Sequence, residues 1–333
     1  MVGRAWRRLV SLARLDRQVA ASTQASSVAA ARLEVLMREH RLLARWLTLP
    51  APEIWQAGPP AERAVPAGGG PLRSSVCRQE SFETRWFHDW MARLGHRPRY
   101  HRKLWEFAYV AQALEERGVL RQGCRGLGFG VGTEPLGAYF ASRGCAIVAT
   151  DLAPDARAAA AWASSGQFAS GREALRAPGV CPDDLFDANV EFRACDMNAI
   201  PPDLTGFDFC WSTCALEHLG SLEHGLTFIE RSLDCLAPGG VAVHTTEFNV
   251  SSGADTLQGG PTVLYRRHDL ESLARRMEAR GCEIAPFDFD LGNGPLDRYV
   301  DLPPYLDAPH LRLAIEGYAS TSVGLIVRKV QRT

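Results

Sequence analysis

The sequence predicts an α/β fold in which a mostly parallel β-sheet carries helices on both faces. Three observations predict it: beyond residue 121 short apolar runs alternate with helical segments, glycines follow the first run, and acidic residues follow the next two. Parallel strands need a long crossover, most often a helix, so this alternation is typical of the class. Ligands of such sheets bind beyond the carboxyl ends of the strands, and the chemistry should lie just after each run.

Seven apolar runs supply the predicted strands, and four segments between them supply helices. The strands are predicted at 125–130, 145–150, 190–194, 207–213, 240–246, 283–289 and 322–329. The helices are predicted at 134–142, 155–163, 222–236 and 268–281. Ahead of the sheet, residues 81–118 are predicted to be helical with a break near Gly95 to Pro98, because glycine and proline interrupt helices.

Composition excludes several classes of protein. The 333 residues are 46% hydrophobic and 23% charged, which excludes a wholly disordered or fibrous chain. No apolar run reaches the roughly 18 residues that span a bilayer, so an integral membrane protein is not expected. The nine cysteines form no CxxC pair, which predicts reduced, mostly buried thiols in a cytoplasmic protein and no metal site. The net charge of −1 predicts no nucleic-acid partner.

Residues 1–48 differ from the rest of the chain, because they contain nine arginines, no lysine and three acids, for a net charge of +6. The absence of proline predicts a long helix, and eight of eleven positions stepped alternately by three and four are apolar. The stepped positions are Leu12, Leu15, Val19, Ser22, Ser26, Ala29, Leu33, Leu36, His40, Leu43 and Leu47.

Two interpretations of this segment are open. One is a coiled coil that assembles the protein, with an arginine-rich surface that contacts another acidic partner or anionic lipid at the inner face of the membrane. The other is a single amphipathic helix lying on the body of its own subunit. A third interpretation, a mitochondrial transit peptide, is disfavoured because the heptad pattern continues to Leu47.

A linker is predicted after the helix, because ten of the 22 residues from Pro50 to Pro71 are proline or glycine. The predicted organisation is therefore an N-terminal helix over 1–48, a linker over 49–73 and one domain over 74–333. Residues 74–120 are predicted to form a helical lid at the start of that domain, with a mixed cluster of Arg102, Lys103, Trp105 and Glu106. An ordinary helix that packs Trp105 and Phe107 into the core is the alternative.

Gly130 and Gly132 lie between the first predicted strand and the next helix. Glycine lets the backbone turn tightly and approach a ligand, and the N–H groups that begin the helix face a polar or anionic group. The dinucleotide pattern GxGxxG is missing, because Thr133 or Pro135 stands where its last glycine would be. A nicotinamide oxidoreductase is therefore disfavoured.

Acidic residues follow the second and third predicted strands. Asp151 comes directly after 145–150 and can accept hydrogen bonds from two ribose hydroxyls. Asp196 follows the third strand and can accept from an adenine amino group, while Met197 offers a soft apolar surface to the ring. Each acid alone is also compatible with a helix N-cap, but their order and spacing favour a ligand site.

Taken together, LGFGVGTE at 127–134, Asp151, Asp196-Met197, FDFCWSTCALEHL at 207–219 and LAPGG at 236–240 resemble the class I S-adenosylmethionine-dependent methyltransferases. The resemblance covers about 121–329 and implies a Rossmann-like sheet of seven strands with the seventh antiparallel beside the sixth. It implies that Gly130 and Gly132 cradle the methionine portion of S-adenosylmethionine. It also implies that Asp151 holds the ribose, while Asp196 with Met197 frames the adenine.

Two positions of the glycine turn depart from the family pattern. Gly128 is also predicted to belong to the cofactor-binding turn, and it stands where the family often has an acid. Glu134 stands where the family often has a third glycine. Two orientations of Glu134 are open. Its carboxylate either replaces part of the missing contact to the cofactor ammonium or points outward, where the helix dipole favours an acid.

A narrower resemblance concerns the methyl acceptor. YHRKLWE at 100–106, HTTEFN at 244–249 and DLPPY at 301–305 are similar to bacterial methyltransferases associated with surface-polysaccharide synthesis. This similarity implies a sugar hydroxyl, or another small acceptor. Residues that follow the later strands are expected to bind it, namely Asn249, Tyr265, Arg266, Tyr305 and His310.

Methyl transfer from a sulfonium is an in-line displacement that needs alignment and, for a hydroxyl, a general base. His218 is the predicted base, because an imidazole has an ordinary pKa of about 6.5, and Glu247 is the second candidate. Glu217 and His218 are equally compatible with buttressing the following helix. The alternative function is a non-catalytic cofactor-binding scaffold that assembles through its N-terminal coiled coil.

Overall fold

The computed structural model describes residues 22–40, 42–43, 58–62, 71–153, 169–303 and 305–330. The helix predicted at 155–163 lies outside these ranges, as do residues 1–21 and most of the predicted linker. The helices are α1 (22–40), α2 (Gln79–Phe82), α3 (Arg85–Arg93), α4 (Arg102–Glu116), α5 (Leu136–Ser142), α6 (Asp183–Asn189), α7 (Leu222–Ser232), α8 (Arg267–Ala279) and α9 (Pro295–Arg298). Among the described helices, none has both the length and the apolar character needed to cross a membrane.

The described strands form two sheets. They are β1 (Ser74–Ser75), β2 (Arg125–Phe129), β3 (Ala146–Asp151), β4 (Val190–Ala194), β5 (Phe207–Thr213), β6 (Leu236–Asn249), β7 (Cys282–Ile284), β8 (Phe287–Asp288), β9 (Leu313–Ile315) and β10 (Tyr318–Lys329). The main sheet has the order β4-β3-β2-β5-β6-β10-β7, with β9 added on β10. The first five of these strands run parallel, whereas β10 is antiparallel to both of its neighbours. This confirms the predicted α/β class with a mostly parallel sheet and helices.

The apolar runs fill a hydrophobic core on each face of this sheet. Along β5, Phe209 and Trp211 pack into the cluster that also takes residues of α3, α4 and α5. Cys210, between them, packs into the opposite cluster with residues of α7 and α8. Successive side chains of a strand point to opposite faces, so a strand covered on both sides is apolar throughout.

Gly128 belongs to the packing of the sheet and does not line the turn that follows β2. A Cβ built on it would lie 2.5 Å from Cζ2 of Trp211 and 2.5 Å from Cγ1 of Val131, closer than carbon atoms approach. Gly128 lies inside β2 and, unlike the other residues predicted for the cofactor, does not line the cleft described below. The missing side chain instead makes room for the buried indole of Trp211.

Gly128→Ala is expected to lower the free energy of unfolding by about 1–3 kcal/mol, because the added methyl overpacks the core. Urea denaturation monitored by circular dichroism measures the change. Gly253→Ala is the matched control, since nothing lies within 4 Å of its added Cβ, and its effect should stay within about 0.5 kcal/mol. Equal losses in the two variants would contradict this account.

Helix α1 touches the body of the protein near its C-terminal end. The Arg38 guanidinium donates to the Tyr318 hydroxyl over 2.5 Å and lies 4.7 Å from the centre of the same ring. Leu42, in the helical residues 42–43 that follow, is buried with Val300 and Ala319. One side of this helix is therefore anchored on the loops and hairpin that surround β9 and β10.

Candidate active site

A cleft of about 470 Å³ opens beyond the carboxyl ends of β2, β3, β4 and β5. Parallel strands end at one edge of a sheet, so residues distant in sequence meet there. Seven residues of interest line it: Gly130, Gly132, Glu134, Asp151, Asp196, Met197 and His218. The structure therefore brings six of the seven residues predicted for the cofactor, and the predicted base, to one cavity.

The turn after β2 brings the main chain to the wall of the cleft. Gly130 and Gly132 have φ angles of 55° and 51°, in the left-handed region that favours glycine. A Cβ on Gly130 would lie 2.9 Å from the Ala215 Cβ and 3.3 Å from the Met197 sulfur. The space between Gly130, Ala215 and Met197, which we call the cradle, stays open only because Gly130 has no side chain.

Asp151 ends β3 and binds the glycine turn with its carboxylate. Oδ2 accepts from the backbone N–H of Gly132 at 3.0 Å and of Ala169 at 3.3 Å, and Oδ1 accepts from that of Leu152 at 2.8 Å. Burial raises the pKa of this carboxyl, while the three backbone donors oppose the rise. A nearly buried carboxylate is thus fixed at the wall of the cleft.

Asp196 and Met197 follow β4 and lie side by side at the cleft. The Asp196 side chain is exposed, and its Oδ1 accepts from the backbone N–H of Asn198 at 2.8 Å. Met197 is buried, with its sulfur beside Gly130. The pair offers a hydrogen-bond acceptor next to a polarisable apolar surface.

Glu134 points into the protein, not outward into solvent. The Trp211 indole Nε1 donates to its Oε1 over 2.5 Å, and the Thr213 hydroxyl donates to its other oxygen. Burial raises the pKa of Glu134 to about 7, against the lowering effect of these two hydrogen bonds. The outward orientation of Glu134, one of the two left open by the sequence, is therefore not the one in the structure.

Lys103 on α4 brings a positive charge to the same end of the cleft. Its Nζ donates to the Thr213 carbonyl at 3.1 Å and pairs with Glu106 Oε2 at 3.0 Å. Burial opposes the charged form, but the Glu106 carboxylate outweighs it and holds the pKa of Lys103 above its usual range. Sequence reasoning grouped Lys103 with a lid and gave it no role, although its spacing of three from Glu106 was the available signal.

His218 ends the 3-10 turn Leu216–His218 that follows β5. Its Nδ1 lies 2.8 Å from the Pro261 carbonyl and 3.3 Å from the Thr262 hydroxyl, and its Nε2 lies 3.8 Å from Glu217 Oε1. A carbonyl can only accept, so the neutral ring carries its proton on Nδ1. Nε2 then has the lone pair that can receive a proton.

Glu247 lies outside the lining of the cleft. It is buried and paired with the Arg102 guanidinium, and it accepts from the Ser320 hydroxyl at 2.6 Å. Its carboxyl, that of Glu217 and the Cys214 thiol have potential ligand atoms within 4.8 Å of one another, the single group of this kind in the described ranges. Arg102 already supplies a positive charge to this cluster.

Three of the residues predicted to bind the acceptor instead contact other residues of the protein, in and near the loops around α8. The Asn249 amide nitrogen donates to the Asp255 carbonyl at 3.0 Å, within its own loop. Tyr265 is fully buried, and the Arg266 Nε pairs with Asp269 Oδ2 at 2.8 Å at the start of the helix. None of the three lines the cleft.

The other two predicted acceptor residues stabilise the segment from 301 to 314. The Tyr305 hydroxyl donates to the Ala314 carbonyl at 2.7 Å, and His310 Nδ1 lies 2.6 Å from Asp301 Oδ2. The two rings meet edge to face with centroids 5.4 Å apart. Neither side chain lines the cleft.

Several solved methyltransferase structures are similar to this chain at low sequence identity. The S-adenosylmethionine-bound amino pentose methyltransferase CalS10 of Micromonospora echinaspora has 18% identity and a TM-score of 0.38, covering 68% of this chain and 92% of its own. An S-adenosylmethionine-dependent methyltransferase of Mesorhizobium loti has 15% identity and a TM-score of 0.40, covering 67% and 97%. One from Methanosarcina mazei has 13% identity and a TM-score of 0.39, covering 66% and 98%.

No curated protein matches the sequence. A family model described as a methyltransferase domain does match it, over residues 127–244. This range begins in β2, ends in β6 and includes most of the residues that line the cleft. Residues 127–244 of this chain are therefore similar to a methyltransferase domain.

Proposed function

We propose that this chain transfers a methyl group from S-adenosylmethionine to a hydroxyl of a sugar or of another small acceptor. The observation that carries the proposal is the convergence of the glycine turn, Asp151 and Asp196 with Met197 on one cleft. When bound, the cofactor supplies an electrophilic methyl group on a sulfonium. The residues of the chain have to bind it, align the acceptor behind the methyl carbon and remove the acceptor proton.

The cofactor roles follow from the chemistry of each side chain. Asp151 accepts hydrogen bonds from the ribose hydroxyls while it keeps the Gly132 turn in place. Asp196 accepts from the adenine amino group, and Met197 packs on the ring. The open cradle at Gly130 admits the methionine portion, which a side chain at that position would displace.

Lys103 and Glu134 suit the two charges of an amino-acid tail. Both bind Thr213, Lys103 through the carbonyl and Glu134 through the hydroxyl, so opposite charges lie close together at one end of the cleft. The Lys103 ammonium is placed to attract a carboxylate, and the Glu134 carboxylate is placed to attract an ammonium. Glu134 thus supplies the negative charge that the family pattern would have put at Gly128.

The affinity for S-adenosylmethionine should fall as the pH drops below about 7. Burial raises the pKa of Glu134 to about 7, and only its ionised form attracts the ammonium, so each pH unit below that value should cost up to about tenfold in affinity. Titration calorimetry across this range, in buffers of different ionisation enthalpy, should also detect proton release on binding. Glu134→Gln should flatten the dependence; an unchanged slope in this variant would contradict the assignment.

His218 is the proposed general base. Its Nε2 receives the proton of the acceptor hydroxyl, and the buried Glu217 carboxyl at 3.8 Å stabilises the imidazolium that forms. Glu247 is less suited, because Arg102 and Ser320 already bind its oxygens and it does not line the cleft.

The sugar acceptor is supported by the resemblance of residues 100–106, 244–249 and 301–305 to methyltransferases associated with surface polysaccharides. The test is incubation with methyl-labelled S-adenosylmethionine and a panel of glycosides and nucleotide sugars, followed by mass spectrometry of the products. A methylated sugar is the expected result. Cofactor binding without any product would favour the non-catalytic scaffold, and binding of NADH in place of S-adenosylmethionine would overturn the cofactor assignment.

A further inference from the structure

Helix α1 has two apolar sides, and the body of the protein covers only one of them. Val35 and Arg38 are half-buried and Leu42 is buried, and these positions, spaced by three and four, share one side. Leu33 and Leu36 lie roughly opposite and are 58% and 54% exposed. Exposed apolar surface of this kind on a soluble protein marks an interaction site.

The uncovered side is a heptad seam. Ser26, Ala29, Leu33, Leu36 and His40 alternate between a and d positions, and all five are exposed. The 19 residues of α1 give it a length of about 28 Å, enough for several layers of knobs-into-holes packing. A single partner helix with the same repeat would cover the whole seam.

The charges on α1 favour a second copy of this chain over an anionic surface. Residues 22–40 contain two arginines and two glutamates, so the described helix has no net positive charge to attract acidic lipid. Arg32 and Glu39 both occupy g positions beside the seam, seven residues apart. Such a helix is complementary to itself, because each copy offers one positive and one negative group on the same edge.

The g positions also select the orientation of the pair. In a parallel pair each g residue faces an e position, and the e positions of α1 are Ala30 and Met37, which carry no charge. In an antiparallel pair g faces g, so Arg32 of each copy meets Glu39 of the other. The apolar e positions then meet each other on the far edge of the seam.

We propose that α1 pairs two copies of this chain as an antiparallel coiled coil. A twofold axis between Leu33 and Leu36 packs Leu33 of each copy against Leu36 of the other and forms two Arg32–Glu39 ion pairs. The anchored side of α1, at Arg38 and Leu42, keeps each catalytic domain on the outside of the pair. The cleft takes no part in this contact, so the proposal stands apart from the proposed chemistry.

Light scattering and sedimentation of the full chain test the pairing itself. The wild type should be a dimer, and Leu33→Glu with Leu36→Glu should be a monomer at every concentration. Both side chains are exposed in the single chain, so the fold and cofactor affinity should not change. Val28→Glu, at a 61% exposed position outside the seam, is the matched control and should remain a dimer.

A charge-swap experiment tests the orientation. Arg32→Glu alone and Glu39→Arg alone should each weaken the dimer about tenfold, because two attractive pairs become repulsive. An equimolar mixture of the two variants should dimerise as the wild type does, since every facing pair is again opposite in sign. A mixture that stays as weak as its components would overturn the antiparallel arrangement.

Three further outcomes would overturn the proposal. They are a monomeric wild type, a dimer that survives the double glutamate variant, and a seam whose substitution abolishes binding to vesicles of anionic lipid without changing the oligomeric state.

Discussion

Asp151→Ala is expected to weaken the binding of S-adenosylmethionine by about 100-fold or more. Hydrogen bonds to a charged group are each worth about 1.5–3 kcal/mol, and removal of the carboxylate leaves two ribose hydroxyls unpaired. The substitution also deprives the Gly132 N–H of its acceptor and loosens the turn that cradles the methionine portion. Titration calorimetry gives the dissociation constant.

Two further variants separate the ribose contact from damage to the fold. Asp151→Asn keeps one carbonyl acceptor and should lose less affinity than the alanine variant. Asp203→Ala removes an exposed aspartate that pairs with Arg193 and does not line the cleft, and its affinity should equal that of the wild type. Thermal melts show whether each protein is folded at the temperature of titration. Near-normal affinity in a folded Asp151→Ala protein would refute the role of this residue.

The strands that end at the cleft could be predicted because the signals for them lie within a few neighbouring residues of the sequence. An apolar run with glycine after it indicates a buried strand and a tight turn, and β2, β3, β4 and β5 lie within two residues of their predicted bounds. The predicted order of motifs then placed Asp151 and Asp196 at one edge, since parallel strands end together.

The last part of the sheet was predicted less well because its pairing depends on distant residues. The apolar run at 283–289 was predicted as one strand, but it forms β7 and β8 with Ala285 and Pro286 between them. Proline has no N–H for a ladder, so the run divides there, and β8 pairs with β1 more than 200 residues earlier in the chain. Nothing local to 283–289 predicts that partner.

The acceptor residues were placed by position in the chain, which does not give the direction of a side chain. Asn249 does end β6 at the expected edge, yet its amide turns back into its own loop. For Arg266 a local signal existed, because Asp269 follows three residues later, a spacing at which opposite charges pair on a helix.

His218→Ala is expected to lower turnover about 100-fold to 10,000-fold while leaving the affinity for S-adenosylmethionine unchanged, since a general base acts on the acceptor proton and not on the cofactor. The loss of turnover is measured as the rate of S-adenosylhomocysteine formation in the presence of the acceptor that the wild type methylates.

His224→Ala is the matched control, because this exposed histidine binds the Leu219 carbonyl through Nδ1 and does not line the cleft. Glu217→Gln should cost less than the alanine variant, because it removes only the charge that stabilises the imidazolium. A similar loss in His224→Ala would mean that both histidines merely support the turn before α7, and an unchanged rate in His218→Ala would assign the base to another group.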